Sequence, residues 1–314
     1  MNDLEILPTA LQWLEQGHKV ALVTVVKTWG SSPRPVGSML LMRHDGQHLG
    51  SVSGGCIEAE ILERYRNGEF TSSIPTKLSY GVTSDQAQKF GLPCGGSLEL
   101  VLENLTDSNW LTNVLTATKQ SELICRQLNL ADGSVNLFPA TTDAKFTCTN
   151  EFIQQIFGPT WQLLLIGAGH LSHHVAQIGL LLDYEIIVCD PREQYNNSWQ
   201  LPGTKLISIM PDDAVKQIAH KHGIVITLTH DPKLDDMALW EALKSPAFYI
   251  GALGSKRTNA SRRQRLQQLG LTATQLARLH GPVGLAIGSH TPAEIAVAIM
   301  AELTAVRNGI YDYK

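Results

Sequence analysis

Two short segments of the chain place a cysteine directly beside a pair of glycines. The first consists of Gly54, Gly55 and Cys56, and the second of Cys94, Gly95 and Gly96. Glycines leave backbone amides open to a ligand, and a thiolate is a soft ligand for transition metals. If the two turns meet in space, they form a small anion-binding nest with one or two sulfur ligands. The alternative is that both thiols are buried in tight turns, since free cysteine is among the most buried residue types.

Cys56 is predicted to begin a helix, because Ile57, Ile61 and Tyr65 follow it with helical spacing. A helix N-terminus stabilises a thiolate and lowers the pKa of the thiol. We expect the sulfur atoms of Cys56 and Cys94 to face one cavity within roughly 10 Å, the scale of a ligand pocket. A soft metal carried by a phosphorylated organic cofactor would suit this site, with Cys56 as the candidate metal ligand.

A second set of candidate residues lies in the second half of the chain, where strands are predicted to end. Gly167 and Gly169 stand between an apolar strand and a helix, and Asp190 ends the next strand. In a dinucleotide site the first glycine allows a tight turn, the second admits a pyrophosphate to the helix N-terminus, and the acid binds a ribose hydroxyl. Ser172 replaces the third glycine of that pattern, which argues against an ordinary nicotinamide cofactor.

Two later loops add polar groups to the same crevice, because ligands of open α/β sheets lie at the carboxyl ends of the strands. These loops contribute Thr229, His230, Asp231, Gly254, Ser255 and Lys256. His170, His173 and His174 would share one helix face, but they lack the paired spacing of a zinc site. His170 lies in the first turn of the predicted helix, so it is predicted to contact a phosphate or a ribose.

The elements that must position these residues change character along the chain. Residues 1–110 contain helix and strand patterns and a hairpin signal at Asp45-Gly46, and the signal weakens over 111–160. Apolar strands then alternate with helical segments, which is typical of a parallel, doubly wound sheet. The sequence predicts the α/β class, with an N-terminal α/β domain over 1–110. The sequence then predicts a linker or connecting segment over 111–160, followed by a C-terminal Rossmann-type doubly wound parallel sheet over 161–314.

Two helices of the second half carry specific expectations. Thr291 as N-cap, Pro292 at the first helical position and Glu294 in a capping box predict a helix that runs to about Arg307. The arginines at 262, 263 and 265 are interpreted as a solvated helix face, the usual place of charged side chains.

The composition excludes several classes of protein. The chain has 314 residues, 43% of them hydrophobic, and a net charge of -4, which predicts two globular domains and no nucleic-acid partner. No apolar run approaches the roughly 18 residues that span a membrane, and the first residues lack the pattern of a signal peptide. Five scattered cysteines do not suggest a secreted disulfide framework, so we expect a cytoplasmic protein.

Several segments resemble the XdhC/CoxI family, the xanthine dehydrogenase accessory proteins. In the N-terminal half these are GSSPRPVGS, with Arg34, GSVSGGCIEAEI, with Ser53, and FGLPCGGSLEL. In the C-terminal half they are IGAGHLSHHVAQIGLLLDYEIIVCDPREQY, LTHDPKLDD, YIGALGSKRT and HGPVGLAIGSHTPAEIAVAIMAEL. The resemblance covers most of the chain except about 106–160. Position by position it makes Arg34, Ser53 and the two glycine–cysteine motifs cofactor-binding candidates.

The resemblance implies a chaperone, not an enzyme, that binds molybdenum cofactor, protects its sulfurated form and assists its insertion into xanthine dehydrogenase. The implied partners are the molybdenum subunit of that enzyme, a cysteine desulfurase that supplies the sulfur, and further copies of this chain. The nucleotide form of the cofactor stays open, as does a nucleotide in the C-terminal domain. Two other functions also stay open: an NAD(P)-dependent oxidoreductase, and an interaction scaffold that keeps a Rossmann-type fold without a ligand.

Overall fold

The computed structural model describes residues 3–29, 34–81, 97–120, 122–141, 145–218 and 220–310, apart from the side chains of Asp3, Leu4 and Cys56. The chain divides into two compact units, Met1–Pro159 and Thr160–Lys314. Within the described ranges no helix combines the length and the apolar character that a bilayer crossing requires.

The first unit contains two antiparallel sheets and the helices α1 (Asp3–Glu15), α2 (Cys56–Arg66) and α3 (Asn109–Lys119). The strands of the larger sheet are β1 (Val20–Trp29), β2 (Met39–Arg43), β3 (His48–Gly50), β4 (Thr76–Tyr80) and β5 (Ser97–Leu105), in the order β3-β2-β1-β5-β4. Those of the smaller sheet are β6 (Ile124–Asn129), β7 (Val135–Pro139), β8 (Thr147–Cys148) and β9 (Phe152–Phe157), in the order β7-β6-β9-β8.

Alternation along its strands gives the larger sheet two apolar faces. One face carries Leu98 and Leu100 of β5 and packs against Ile57 of α2. The opposite face carries Leu22 of β1 and packs against α1, α3 and Phe157 of β9. Side chains on both sides of a strand are therefore buried, and α2 with its preceding turn is fixed against the sheet.

The interpretation of 111–160 as a linker or connecting segment is wrong. This stretch contains most of α3 and the whole smaller sheet, and the first unit extends to Pro159. The strand pattern was missed because β6 and β9 carry the polar residues Arg126 and Gln155 among their buried positions. Polar residues on the inward face hide the apolar period from which a strand is predicted.

The second unit is one parallel sheet between two layers of helices, which confirms the Rossmann-type prediction. Its strands are β10 (Gln162–Ile166), β11 (Glu185–Cys189), β12 (Thr204–Ile207), β13 (Gly223–Thr227), β14 (Tyr249–Ala252) and β15 (Leu279–His280). Its helices are α4 (His170–Leu181), α5 (Glu193–Asn196), α6 (Pro211–Ile218), α7 (Pro232–Ala242), α8 (Lys256–Gln268), α9 (Ala273–Ala277) and α10 (Pro292–Arg307). The strand order β12-β11-β10-β13-β14-β15 places a switch point between β10 and β13, where ligands of such sheets bind.

The last helix follows its sequence signals. The Oγ1 atom of Thr291 accepts a hydrogen bond from the amide of Glu294 at 3.3 Å, and α10 ends at Arg307. Helices α4 and α10 pack on one face of the sheet, and α6, α7 and α8 pack on the other.

Arg262 on α8 joins two loops at the carboxyl ends of the strands. Its guanidinium donates to the Leu253 carbonyl at 2.9 Å, to Asp235 at 3.1 Å and to Asp236 at 3.3 Å. Asp235 in turn accepts from the amide and the hydroxyl of Thr229, at 3.2 and 2.6 Å. Burial raises the pKa of the Asp235 carboxyl, and the hydrogen bonds from Thr229 and the charge of Arg262 oppose that rise. Arg262 thus connects the loops after β13 and β14 through the Leu253 carbonyl and Asp235.

The interpretation of the arginine cluster as a solvated helix face is wrong. Arg262 is 3% exposed, and Arg263 donates to the carbonyls of Leu276 and Leu279 at 2.5 and 2.6 Å. Arg265 pairs with Asp236 at 2.6 Å. These partners are distant along the chain, so the local pattern could not indicate them.

Replacement of Arg262 by leucine is expected to lower the free energy of unfolding by about 3–5 kcal/mol, because it leaves the buried carboxylate of Asp235 without its cation. Urea unfolding at pH 7 measures this loss. Arg257→Leu is the matched control, since Arg257 is exposed on the same helix and its loss should change the free energy by about 0.5 kcal/mol or less. Equal effects of the two variants would contradict the role given to Arg262.

Candidate functional site

The turn before α2 is organised around the carboxylate of Glu58. Its oxygens accept hydrogen bonds at 2.7–2.9 Å from the amides of Val52, Ser53, Gly54 and Gly55. They also accept from the hydroxyls of Ser51, at 2.7 Å, and Ser53. The amides that were expected to bind a phosphate of a ligand therefore already hold an anion that the chain itself supplies.

The environment of Glu58 keeps this carboxylate charged. Burial alone would raise its pKa, but hydrogen bonds from Ser53, Ser51 and Gly54 outweigh burial and lower the pKa to about 2. Sequence reasoning missed this residue. The available signal was an acidic residue at the third helical position, where a capping box places its side chain over the backbone of the N-cap residue.

Cys56 is the first residue of α2, which agrees with its predicted place at a helix start. Its side chain lies outside the described part of the structure, as do the residues Cys94, Gly95 and Gly96. The expected distance between the two sulfur atoms therefore stays a prediction.

A cavity of about 330 Å³ in the first unit joins two of the N-terminal motifs. Arg34 of the motif GSSPRPVGS and Ser51 of the glycine-rich motif line it, together with Phe146 and Gln155. Gly50 adopts a φ of 90°, and a Cβ atom there would collide with the backbone of β2. A glycine at this position is thus what lets the chain pass so close to β2 beside the cavity.

The lining of this cavity favours a ligand rich in hydrogen-bond acceptors. The guanidinium of Arg34 and the amide group of Gln155 offer N–H donors, and Ile6 and Phe157 provide apolar contact. Ser53, Gly54 and Gly55 do not line the cavity. Ser51 connects the two features, because it lines the cavity and also donates to Glu58.

The ends of β10, β13 and β14 bring the predicted loops of the second unit to one edge of the sheet. Gly167 has a φ of 109°, and a Cβ atom there would lie 3.1 Å from the backbone of Thr229. Gly169 precedes α4, and a Cβ atom there would meet nothing within 4 Å. The first glycine thus allows two loops to approach closely, whereas the second leaves open space before the N-terminus of α4.

Asp190 directly follows Cys189, the last residue of β11, and turns its side chain inward. It is fully buried, and its carboxylate accepts from the Ala168 amide at 2.9 Å and from the Arg192 guanidinium at 2.7 and 2.8 Å. Burial would raise the pKa of this carboxyl, but these bonds hold it below its ordinary value. A ribose hydroxyl would have to displace Arg192 to reach Asp190. Ser172 is also fully buried, and its Oγ atom has no hydrogen-bond partner among the described residues.

The other predicted residues of this edge surround the starts of α7 and α8. Asp231 caps α7 by accepting from the Lys233 amide at 2.9 Å, and Ser255 caps α8 by accepting from the Thr258 amide at 3.1 Å. The exposed side chains of the set are those of His170, His230, Ser255 and Lys256, and Gly254 adopts a φ of 130°. The described part of the chain holds no cluster of three or more His, Cys, Asp or Glu side chains that could bind a metal ion.

Comparisons with known proteins assign both units. Residues 13–80 match the XdhC and CoxI family, and residues 163–303 match the XdhC Rossmann domain. The chain is 28% identical to the molybdenum cofactor insertion chaperone PaoD of Escherichia coli (strain K12), over 96% of this chain and 88% of that protein. It is 26% identical to a probable xanthine dehydrogenase subunit of Bacillus subtilis (strain 168), over 95% and 96% of the two chains.

A solved structure shares the fold. The crystal structure of a xanthine dehydrogenase from Bacillus halodurans matches with a TM-score of 0.77 and 24% identity, over 99% of this chain and 97% of that one. The segments that match the two family models, 13–80 and 163–303, include the Gly54-Gly55-Cys56 motif of the first unit and most of the parallel sheet of the second. The chain therefore belongs to the XdhC and CoxI family.

Proposed function

We propose that this chain binds molybdenum cofactor as a cargo and serves its insertion into an enzyme of the xanthine dehydrogenase type. The observation that carries the proposal is the cavity of the first unit, where Arg34 and Ser51 come together from two motifs shared with the family. The names of the relatives, a cofactor insertion chaperone and a probable xanthine dehydrogenase subunit, support the same reading.

The residues of the cavity suit such a cargo. The cofactor combines a terminal phosphate with a pterin ring, and both are rich in acceptor oxygens and nitrogens. Arg34 supplies a positive charge and planar donors for a phosphate, while Phe146 and Phe157 offer apolar surface to a ring. The volume of about 330 Å³ lies at the small end of ligand pockets, so part of the cargo stays outside it.

We also propose that the chain protects the sulfurated form of the cofactor. A terminal sulfur on molybdenum is lost to water, and a carrier that excludes water from the metal slows that loss. Cys56 at the start of α2 is the residue proposed to lie near the metal, because a thiolate is a soft ligand for transition metals. The cysteine desulfurase and the molybdenum subunit of the target enzyme are the proposed partners.

Retention of the cofactor tests the proposal directly. The protein is mixed with released molybdenum cofactor and separated from the free cofactor, and the retained pterin is measured by its fluorescence after oxidation. Arg34→Gln should weaken binding about tenfold or more, because a hydrogen bond to a charged group contributes about 1.5–3 kcal/mol. Arg66→Gln removes an exposed arginine of α2 that does not line the cavity, and should bind like the parent.

The results separate the parts of the proposal. Absence of retention by the parent protein contradicts cofactor binding as a whole. Retention by the parent together with unchanged binding in Arg34→Gln places the cofactor elsewhere. Cys56→Ala tests the metal contact, and it should bind the pterin but lose the sulfur from the cofactor faster than the parent does.

Glu58 should make the stability of the first unit depend on acid. Its folded pKa of about 2 lies below the ordinary value of 4.5, so its contribution is complete above about pH 4.5 and disappears as the pH falls toward 2. Glu58→Gln should lower the free energy of unfolding by about 2 kcal/mol at pH 7. The side chain of glutamine offers the turn a single acceptor oxygen, and its two N–H donors would face the N–H donors of the turn. Urea unfolding at several pH values measures both proteins, whose curves should converge in acid.

The control for this series is Glu63→Gln, a change of an exposed carboxylate on the same helix. It should follow the parent protein at each pH. A constant difference between Glu58→Gln and the parent from pH 7 to pH 3 would show that the charge of Glu58 does not hold the turn.

The crevice of the second unit is proposed to bind a nucleotide or another phosphate group, supported by the open space beside Gly169 and the start of α4. Gly169→Asp should retain the fold, since aspartate is a favourable N-cap and the φ of -87° suits it. The added charge should abolish binding of ADP in calorimetry, whereas Gly169→Ser should bind within a few fold of the parent. Equal ADP binding by the parent and the aspartate variant would exclude this location.

A further inference from the structure

A chain of three polar side chains lies buried between the two sheets of the first unit. Arg126 of β6 is 1% exposed and stands directly opposite Gln155 of β9 in the antiparallel register. Its guanidinium donates to Oε1 of Gln155 at 2.9 Å and to a carboxylate oxygen of Glu103 on β5. The ring of Trp110 on α3 lies over the guanidinium, with 4.0 Å between its centroid and the Cζ atom. Residues of the apolar core flank this group along the same strands.

Arg126 determines which end of the Gln155 amide faces it. A guanidinium carries donors and no acceptor, so the oxygen of Gln155 must face Arg126 and the Nε2 group must point away. Gln155 is 5% exposed and lines the cavity that also contains Arg34 and Ser51. No described residue accepts a hydrogen bond from its Nε2 atom, whose two hydrogens are therefore left for the cavity.

This arrangement is costly if it serves the fold alone. Apolar residues of similar volume often replace a buried ion pair without loss of stability. The Nε2 group of Gln155 is not among the buried unpartnered atoms of the described residues, so it is open to the cavity, where water or a ligand can accept from it. A ligand with an acceptor atom in the cavity would satisfy that donor and give the buried ion pair a purpose.

We infer that Gln155 is a recognition residue for the cargo, and that its Nε2 group donates to an acceptor oxygen of the cofactor. Arg126 is the positioning residue, because it fixes the direction of the amide and is itself anchored by Glu103. The inference rests on the proposed function and makes it more specific. A site built around a fixed donor rejects a ligand that presents a donor at the same place. The acceptor oxygen belongs either to the phosphate or to the pterin ring.

The decisive variant is Gln155→Glu. It keeps an acceptor for Arg126 but presents the cavity with a carboxylate oxygen in place of the N–H donor. Gln154→Glu is the matched control, because it adds the same charge one position earlier on β9, where the side chain points to the opposite face and does not line the cavity. Gln155→Met is a second test that removes the donor without adding a charge and conserves the volume.

Affinity is measured by fluorescence titration with the oxidised pterin derivative of the cofactor, once with its phosphate and once after phosphatase treatment. Both Gln155 variants should bind at least tenfold more weakly than the parent, which corresponds to a loss of about 1.4 kcal/mol or more in binding free energy. The affinity of Gln154→Glu should stay within about twofold of the parent. A loss with both forms of the ligand assigns the acceptor to the pterin. A loss with the phosphorylated form alone assigns it to the phosphate.

Urea midpoints of all variants are compared, so that a loss of binding is counted only for protein that folds like the parent. Parent-like affinity in Gln155→Glu and Gln155→Met overturns the inference and leaves cofactor binding intact. If the parent protein binds neither form of the pterin, the proposed function fails, and the assignment of Gln155 fails with it.

Discussion

Backbone amides that line a tight turn must find an acceptor, and in this protein carboxylates of the chain itself meet that need. Glu58 gathers four amides and two hydroxyls in the glycine turn before α2. Asp190 accepts from the amide of Ala168 in the turn before α4. Asp235 accepts from the amide and hydroxyl of Thr229 after β13. Each of these three turns is thus fixed before any ligand arrives, so binding would not require the turn to be ordered first.

Two buried arginines perform the same task in the two units. Arg262 links the loops after β13 and β14 through Asp235 and the Leu253 carbonyl. Arg126 links the two sheets of the first unit through Glu103 and Gln155. Neither arginine reaches the surface, and a buried ion pair is often no more stabilising than apolar residues of similar volume. Their common effect is to hold side chains and loops in one orientation beside a candidate site, which is the condition for selective recognition.

The two units offer different chemistry to a cargo. The first unit provides a small cavity with donors and aromatic rings between antiparallel sheets, together with a cysteine at a helix start. The second provides the edge of a parallel sheet, where open space lies beside Gly169 and where His230 and Lys256 are exposed. The proposed pterin binding therefore concerns the first unit, and the proposed nucleotide or phosphate binding concerns the second. The parallel sheet of the second unit does not indicate the function by itself, because the same fold supports many unrelated functions.

Local patterns in the sequence determined much of the fold. The apolar strands β10, β11, β13 and β14, the capping box of α10 and the helix start at Cys56 were all predicted, because period and cap residues are short-range signals. The smaller sheet and the roles of Glu58, Arg126 and Arg262 were not predicted. Their partners come from other strands and helices, or from a turn whose curvature the residue types alone do not define. The sequence by itself therefore determined most of the regular elements and the family motifs. Only the tertiary structure decided which polar groups are already paired and which remain for a ligand, because pairing depends on distances between residues far apart in the chain.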